Sequence, residues 1–552
     1  MAKKLVMPDS AFFERYFKIS FFVLPLLYLI AGLYFRFLLG NLSLLSIDPD
    51  YVYFISGLQI SEGFFKVVHI DHPGTPLQFF IAIVFRIVYL FRNHDLPFVE
   101  DVFSNSDMYL AIVNVTITVL TSVLLYYAAR KVFKYTNSIL YAVIIQTTPF
   151  LPVIWYDLIG RIVPELMMPF PIILLSVAII EIYFTADSVT SKSAIKLAFI
   201  SALGLAVKIT FVPLCLIPFF VIKRWKQKFI FVVSTILFFF LWAIPVTLQL
   251  NVFWGWIKNL FLHSGHYGGG DTNFIDLTVF RNSLNELFGY EKRFFYVLFG
   301  LIVLFIVYII WNRKNAEKRI VLLTSSLIFA ISILIVLVGK HYAHHYFIPA
   351  LLLAPLIIIL IAELLKKMIP SKLAVFVIPF VIVVYLTWTV DNNRKWLPVK
   401  SNALGYNIKS RQATWHVAQT LEKDCYKIIA SQAYGSPFIE YSLVYSNVWA
   451  NHKKREEYYQ ILDKLYPNTY NFFTFDSSMK YWGEKFSVQK VIDSGKPVYL
   501  YLERNEEELY NRTLAKLTEE NGSDFTANRA LVYLNNVTSE VIYRLTFPEA
   551  IQ

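Results

Sequence analysis

The chain has 552 residues, of which 57% are hydrophobic, 17% aromatic and only 16% charged, with a formal net charge of +12. This composition excludes a soluble globular protein of such length and points to a polytopic α-helical membrane protein. Many of the basic residues sit in short loops between apolar runs, which is not the soluble basic stripe that nucleic acid requires. The two cysteines, Cys215 and Cys425, make no disulfide or metal framework.

The first apolar run, Ile19 to Leu39, is too long and too aromatic for a removable signal peptide and reads as a retained span. Basic clusters punctuate the chain: Lys3, Lys4, Arg15 and Lys18; Arg130, Lys131 and Lys134; Lys223 to Lys228; Arg313, Lys314, Lys318 and Arg319; and Lys366, Lys367 and Lys372. By the positive-inside rule all of them are cytoplasmic, so the chain crosses the membrane an even number of times between neighbouring clusters. Three apolar stretches lie between the first two clusters, near 17–40, 76–92 and 108–129. The middle one is shortest, carries Arg86 and opens on a polar Pro-rich run, so it is expected to lie in the interface. Further spans are expected near 137–154 and 165–185, twice within 193–222 with a turn at Lys208, and near 229–251, 294–311, 320–339, 346–365 and 373–391. The total is about 11 transmembrane helices with the N-terminus inside.

This topology puts every candidate functional segment on the non-cytoplasmic face. The loop 41–107 holds Asp48-Pro49-Asp50-Tyr51 and, further on, Asp71-His72-Pro73-Gly74-Thr75-Pro76. Next come the loop with Trp155, Tyr156, Asp157 and Arg161 ahead of Glu165, the turn at Lys208, and the loop 252–293 with His263 and His266. The junction Lys340-His341-Tyr342-Ala343-His344-His345-Tyr346 follows. Asp48 and Asp50 also suit capping of a helix that begins near Tyr51, and Arg161 suits an ion pair with Asp157 or Glu165. His341 and His345 have a spacing that zinc ligands use, but no nearby Cys, Asp or Glu completes a set. From about 396 the composition turns polar. Short apolar runs at 427–430 and 498–502, with an amphipathic stretch from Arg455 to Tyr466, predict an extracytoplasmic α/β domain over 396–552, following a membrane domain over 1–395.

Taken together, these residues resemble the GT-C class of membrane glycosyltransferases, which includes protein O-mannosyltransferases, lipid A aminoarabinose transferases and oligosaccharyltransferase catalytic subunits. The resemblance covers roughly residues 10–390. It rests on the first-loop aspartates, the His72-Pro73-x-x-Pro76 helix start, Arg161 with Glu165, and His345-Tyr346-x-x-Pro349. It implies a polyprenyl-phosphate-linked sugar donor, an acceptor that is a glycan, lipid or protein, and a site outside the cytoplasm, with the plasma membrane of a bacterium as the expected location. The chain departs from the class in having Asp-Pro-Asp for Asp-Glu, Glu165 for the commoner Asp, and His345 where Arg is frequent.

An acceptor hydroxyl needs a carboxylate to take its proton, and Asp50 is preferred over Asp48 because Tyr51 and Tyr53 follow it as aromatics follow the class's acid; Glu165 completes the catalytic set. The departing phosphate needs preorganised cations, for which Lys208, Arg161, Lys340, His341 and His345 are the candidates. His72, Asp157 and Tyr346 are expected to contact substrate. No cofactor is required; a divalent metal is compatible but not indicated. A secondary transporter, or a non-catalytic assembly or sensor protein anchored by its spans, are the alternative readings.

Overall fold

The computed structural model describes residues 20–45, 47–71, 73–92, 95–185, 189–263, 269, 272, 275–312, 315–432 and 435–548. The first basic cluster, Arg313, Lys314, His72 and His266 lie outside the described residues. Seven helices among the described residues are long and apolar enough to cross a membrane: Ser106–Thr136, Pro164–Thr185, Trp225–Trp242, Leu277–Trp311, Lys318–Lys340, His344–Met368 and Ser371–Thr420. Shorter apolar helices occupy Val23–Leu39, Thr75–Phe91 and Ile209–Val221. The protein is therefore a polytopic helical membrane protein, as its composition requires.

Several expected spans change shape. The segment 137–154 is not one span: an eight-residue helix, Ile139–Gln146, gives way to a 3-10 turn at Thr148–Phe150. Pro149 and Pro152 remove backbone donors there, so an α-helix cannot continue. The double crossing within 193–222 is a helix, Ser191–Val207, and a second helical run, Ile209–Val221, that meet at Lys208 in an extended conformation. Much of the expected loop 252–293 is helical. Leu250–Leu262 forms one helix, and the next begins at Leu277 with a kink at Glu291, so the predicted span 294–311 is only its second half.

The first loop forms the interior of one end of the bundle. Helix Asp50–Ser61 is buried at every residue except Ser61, and it packs against helix Thr75–Phe91, whose N-cap Gly74 has a left-handed φ of 65°. A side chain at Gly74 would run into the Tyr53 ring. Arg86, the charge that marked this helix in the sequence, donates from Nε to the Ser61 carbonyl at 2.8 Å.

The polar C-terminal region forms a six-stranded sheet ordered β3-β2-β1-β4-β6-β5. Its strands are β1 (Tyr426–Ser431), β2 (Thr469–Phe473), β3 (Ser478–Tyr481), β4 (Val498–Leu502), β5 (Asn528–Leu534) and β6 (Val541–Thr546). The central strands β2, β1 and β4 are parallel, whereas β3, β6 and β5 add antiparallel edges. Helix Ser371–Thr420 runs unbroken through position 396. The composition change there marks where one helix becomes polar, and the sheet domain begins only at Tyr426.

That domain docks through the crevice beside the carboxyl ends of β1 and β4, the point where the strand order reverses. The Gly435 and Ser436 amides donate to the Leu45 and Ser43 carbonyls at 3.2 and 2.9 Å, and Arg411 bridges the Leu44 and Gly435 carbonyls. A Cβ at Gly435 would stand 2.2 Å from the Leu44 carbonyl carbon, a contact that only displacement of backbone relieves. Gly435→Ala is therefore expected to loosen the docked domain, seen as faster proteolysis near residues 421–425 at unchanged sheet content. For topology, Asn137→Cys and Asp524→Cys occupy exposed positions. An impermeant thiol reagent added outside intact cells should label only the second, and labelling of both would overturn the positive-inside assignment.

Candidate active site

Asp48 and Asp50 sit on the turn between helix Val23–Leu39 and helix Asp50–Ser61, and three long-range contacts brace that turn. Arg161, 111 residues away, forms an ion pair with Asp50, its Nε donating to Oδ2 at 3.0 Å, while its Nη2 donates to the Asp48 carbonyl at 2.8 Å. The Ile162 amide donates to the other Asp50 oxygen at 2.5 Å. Asp107 accepts from the Ser43 amide and hydroxyl at 3.1 and 2.6 Å and from the Tyr51 hydroxyl at 3.0 Å. The Arg161 loop is itself held: Asn114 Nδ2 donates to the Ile159 and Arg161 carbonyls, and Arg36 Nη1 to that of Gly160.

This bracing separates the two aspartates. Asp50 is fully buried, both of its oxygens are engaged, and it does not reach the adjoining cavity. The sequence-based preference for Asp50 as proton acceptor thus falls on a carboxylate whose two oxygens are taken by Arg161 and the Ile162 amide and which lies outside the cavity lining. Nor does Asp50 cap its helix, for its carboxylate turns to Arg161. Asp48 is open to the cavity, which it lines, while the surrounding wall encloses it on its other sides. Enclosure raises the Asp48 carboxyl above its ordinary pKa, His69 and Arg161 oppose that shift, and the like charges of Asp50 and Asp71 add to it.

The cavity has a volume of about 550 Å³. Arg161, Glu165, Lys208 and His345 line it together with Asp48, although they come from four separate segments. Lys208 and Glu165 form an ion pair and are only 2% and 3% exposed; His345 Nε2 stands 3.8 Å from Glu165 Oε1. The Lys208 ammonium lies 4.5 Å from the centre of the Tyr346 ring. Pro73 pairs with Lys208 in an isolated antiparallel bridge, which brings the first loop to the same place. Neither of these cations depends on a bound phosphate for its counter-charge: Arg161 has Asp50 and Lys208 has Glu165. Arg161 nevertheless keeps its Nη1 donors without a protein acceptor among the described residues, and five N–H groups on one guanidinium allow it to hold Asp50 and an incoming anion together.

Other expected contacts fall elsewhere. Lys340 Nζ donates to the Leu260 and Phe261 carbonyls, and the His341 ring meets the Leu260 carbonyl at 2.7 Å, so both cap the C-terminal end of helix Leu250–Leu262 instead of joining the cavity. The zinc-like spacing of His341 and His345 thus serves two different places. Asp157 pairs with Lys400 at 2.5 Å and not with Arg161. Tyr346 backs Lys208 and is not among the residues lining the cavity.

The sequence reading also missed residues. His69, whose Nδ1 is 3.1 Å from Asp71 Oδ1, lines the cavity with Tyr53, Asp71 and Trp449 of the C-terminal domain. Beside His345, His344 Nε2 lies 2.9 Å from Glu291 Oε1, which also accepts from the Val153 amide at the kink of helix Leu277–Trp311. Glu291 stood in the sequence as one more polar residue of a loop, with only its apolar continuation to hint at burial.

No protein-family model and no curated protein matches this sequence. Among solved structures, the fold is similar to that of ArnT from Cupriavidus metallidurans bound to undecaprenyl phosphate. The TM-score is 0.51 at 10% sequence identity, with 94% of this chain and 97% of that one covered. The same protein in the apo state aligns over the same shares at 10% identity and a TM-score of 0.49. The chain thus has the GT-C-like fold of a polytopic membrane protein that its loop motifs led us to expect.

Proposed function

We propose that the protein is a glycosyltransferase that moves a sugar from a polyprenyl-phosphate donor to a hydroxyl of a glycan, lipid or protein acceptor on the non-cytoplasmic face of the membrane. One observation carries the reading: a single cavity in a GT-C-like fold holds an accessible carboxylate, Asp48, together with Arg161, Lys208 and His345. A general base and a cationic cradle are what transfer from a phosphate leaving group needs.

In this reading the acceptor hydroxyl gives its proton to Asp48 as its oxygen bonds to the anomeric carbon. The bond from that carbon to the phosphate oxygen breaks, and the lipid phosphate leaves with the electron pair. Arg161 Nη1, Lys208 and His345 stabilise the charge that develops on it. Glu165 holds Lys208 in place and is a positioning residue. An apolar groove of about 1030 Å³, lined by Leu27, Ala31, Phe150, Trp155 and Leu386 among others, runs along the Trp155–Ile159 segment whose Leu158 lines the polar cavity. A lipid chain in that groove would bring its headgroup beside the site. That the ArnT structure of similar fold carries undecaprenyl phosphate supports a polyprenyl phosphate as partner.

The purified protein in lipid nanodiscs, given radiolabelled polyprenyl-phosphate sugars and a crude acceptor fraction, should consume one donor and release the polyprenyl phosphate. A panel left intact would refute the reading. Asp48→Asn should lower turnover by about 10²- to 10⁴-fold at an unchanged melting temperature. Asp50→Asn should instead destabilise the fold by about 3–5 kcal/mol, because it breaks the ion pair that the buried Asp50 carboxylate makes with Arg161. A dead but normally stable Asp50→Asn beside an active Asp48→Asn would reverse these roles. With pH, kcat/KM should fall on the acid side as Asp48 gains its proton, with a midpoint above the ordinary aspartate value.

A further inference from the structure

The C-terminal domain does more than rest on the bundle, because one of its side chains enters the cavity. Trp449, at the end of helix Ile439–Val448, is half-buried and shares the cavity lining with Asp48, His69 and Lys208. A large apolar ring in a wall otherwise rich in charge gains little from water or from ions. It suits a ligand that has an apolar face as well as hydroxyls.

The backbone that carries the ring is also tied down on both sides. Arg455 Nη2 donates to the Val448 and Ala450 carbonyls, at 2.6 and 3.0 Å, and so brackets Trp449 from both sides. Asn451 Nδ2 reaches the Lys66 carbonyl at 2.8 Å, Lys454 pairs with Glu62 at 3.0 Å, and the Tyr458 hydroxyl also binds Glu62. These contacts tie the 447–458 segment to the stretch of the first loop that carries His69 and Asp71. His69 stands edge-on to Trp449 (5.8 Å between centroids, 87°) and to Tyr53 (5.1 Å, 87°), which makes a row of three rings inside the site.

Resting on the glycosyltransferase reading of this cavity, we propose that Trp449 is a sugar-contacting residue: its indole packs against the C–H face of the donor's sugar, while Asp71 and its partner His69 meet that sugar's hydroxyls. The soluble domain thereby completes the active site and selects which sugar is transferred. A C–H face on an aromatic ring is recognised through shape and dispersion, so aromatic character is required at position 449 and the indole N–H is not.

The experiment compares Trp449→Ala and Trp449→Phe in nanodiscs, with binding measured for two probes: undecaprenyl phosphate without a sugar, and the polyprenyl-phosphate sugar that the wild-type protein consumes. Trp449→Ala should lose about tenfold or more in affinity for the sugar-bearing lipid, as truncation of a buried aromatic anchor does, and keep its affinity for the bare lipid phosphate. Trp449→Phe should restore most of the loss. Equal losses for both probes, no loss for either, a defect confined to the KM of the acceptor, or a Phe variant as weak as Ala at an unchanged melting temperature would each overturn the proposal. If the wild-type protein consumes no donor, the glycosyltransferase reading itself fails and this proposal falls with it; turnover by wild type with an unaffected Trp449→Ala removes only the role of Trp449.

Discussion

The buried ion pair between Asp50 and Arg161 is the constraint on which the rest of the site depends. Taking two charges out of water is costly, and the cost is met only where the pair and its remaining hydrogen-bond capacity are well matched. Here the Ile162 amide takes the second Asp50 oxygen, and Arg161 also reaches the Asp48 carbonyl. A pair with such exacting partners tolerates one relative placement of the first and second loops. Asp48 is consequently fixed in space by residues more than a hundred positions away, and its carboxylate is turned to the cavity while its neighbour is spent on structure.

The same logic recurs across the cavity. Glu165 holds Lys208, Asp71 meets His69, and Glu291 anchors His344 next to His345. Two of these ties, Glu165–Lys208 and Glu291–His344, join segments distant in sequence, and the third fixes one stretch of the first loop, so the polar groups are held in defined orientations. In a partly desolvated site, fixed dipoles and charges act on a developing charge more strongly than mobile water does, since they need no reorganisation during the reaction. Pairing the cations also offsets the cost of holding them in the cavity wall, which a cluster of unpaired charges would not do.

The C-terminal domain follows a different rule. In open α/β sheets the crevice beside the carboxyl ends of the central strands commonly receives a ligand. In this protein the loop after β1 is pressed against the backbone of Ser43–Leu45, so the crevice is used for docking. Because residues 43–45 lead directly into the Asp48 turn, the seat of the outer domain and the position of the proposed base are mechanically joined.

Much of this was legible in the chain itself. Apolar runs of membrane length, and the basic loops between them, act locally, and they determined the polytopic helical class and pointed to the segments that meet at the site. The loop motifs suggested the GT-C-like fold, and the parity of crossings put a turn at Lys208, where the helical runs do meet. Which aspartate faces the cavity, which carboxylate each cation takes, and where Lys340 and His341 go were decided only by tertiary structure. Neighbouring acids look alike in sequence, and pairing energy depends on burial and on partners 40 to more than 100 residues away. Trp449 left no trace in the sequence at all, because nothing in a polar region marks a ring that docking carries into another domain's cavity.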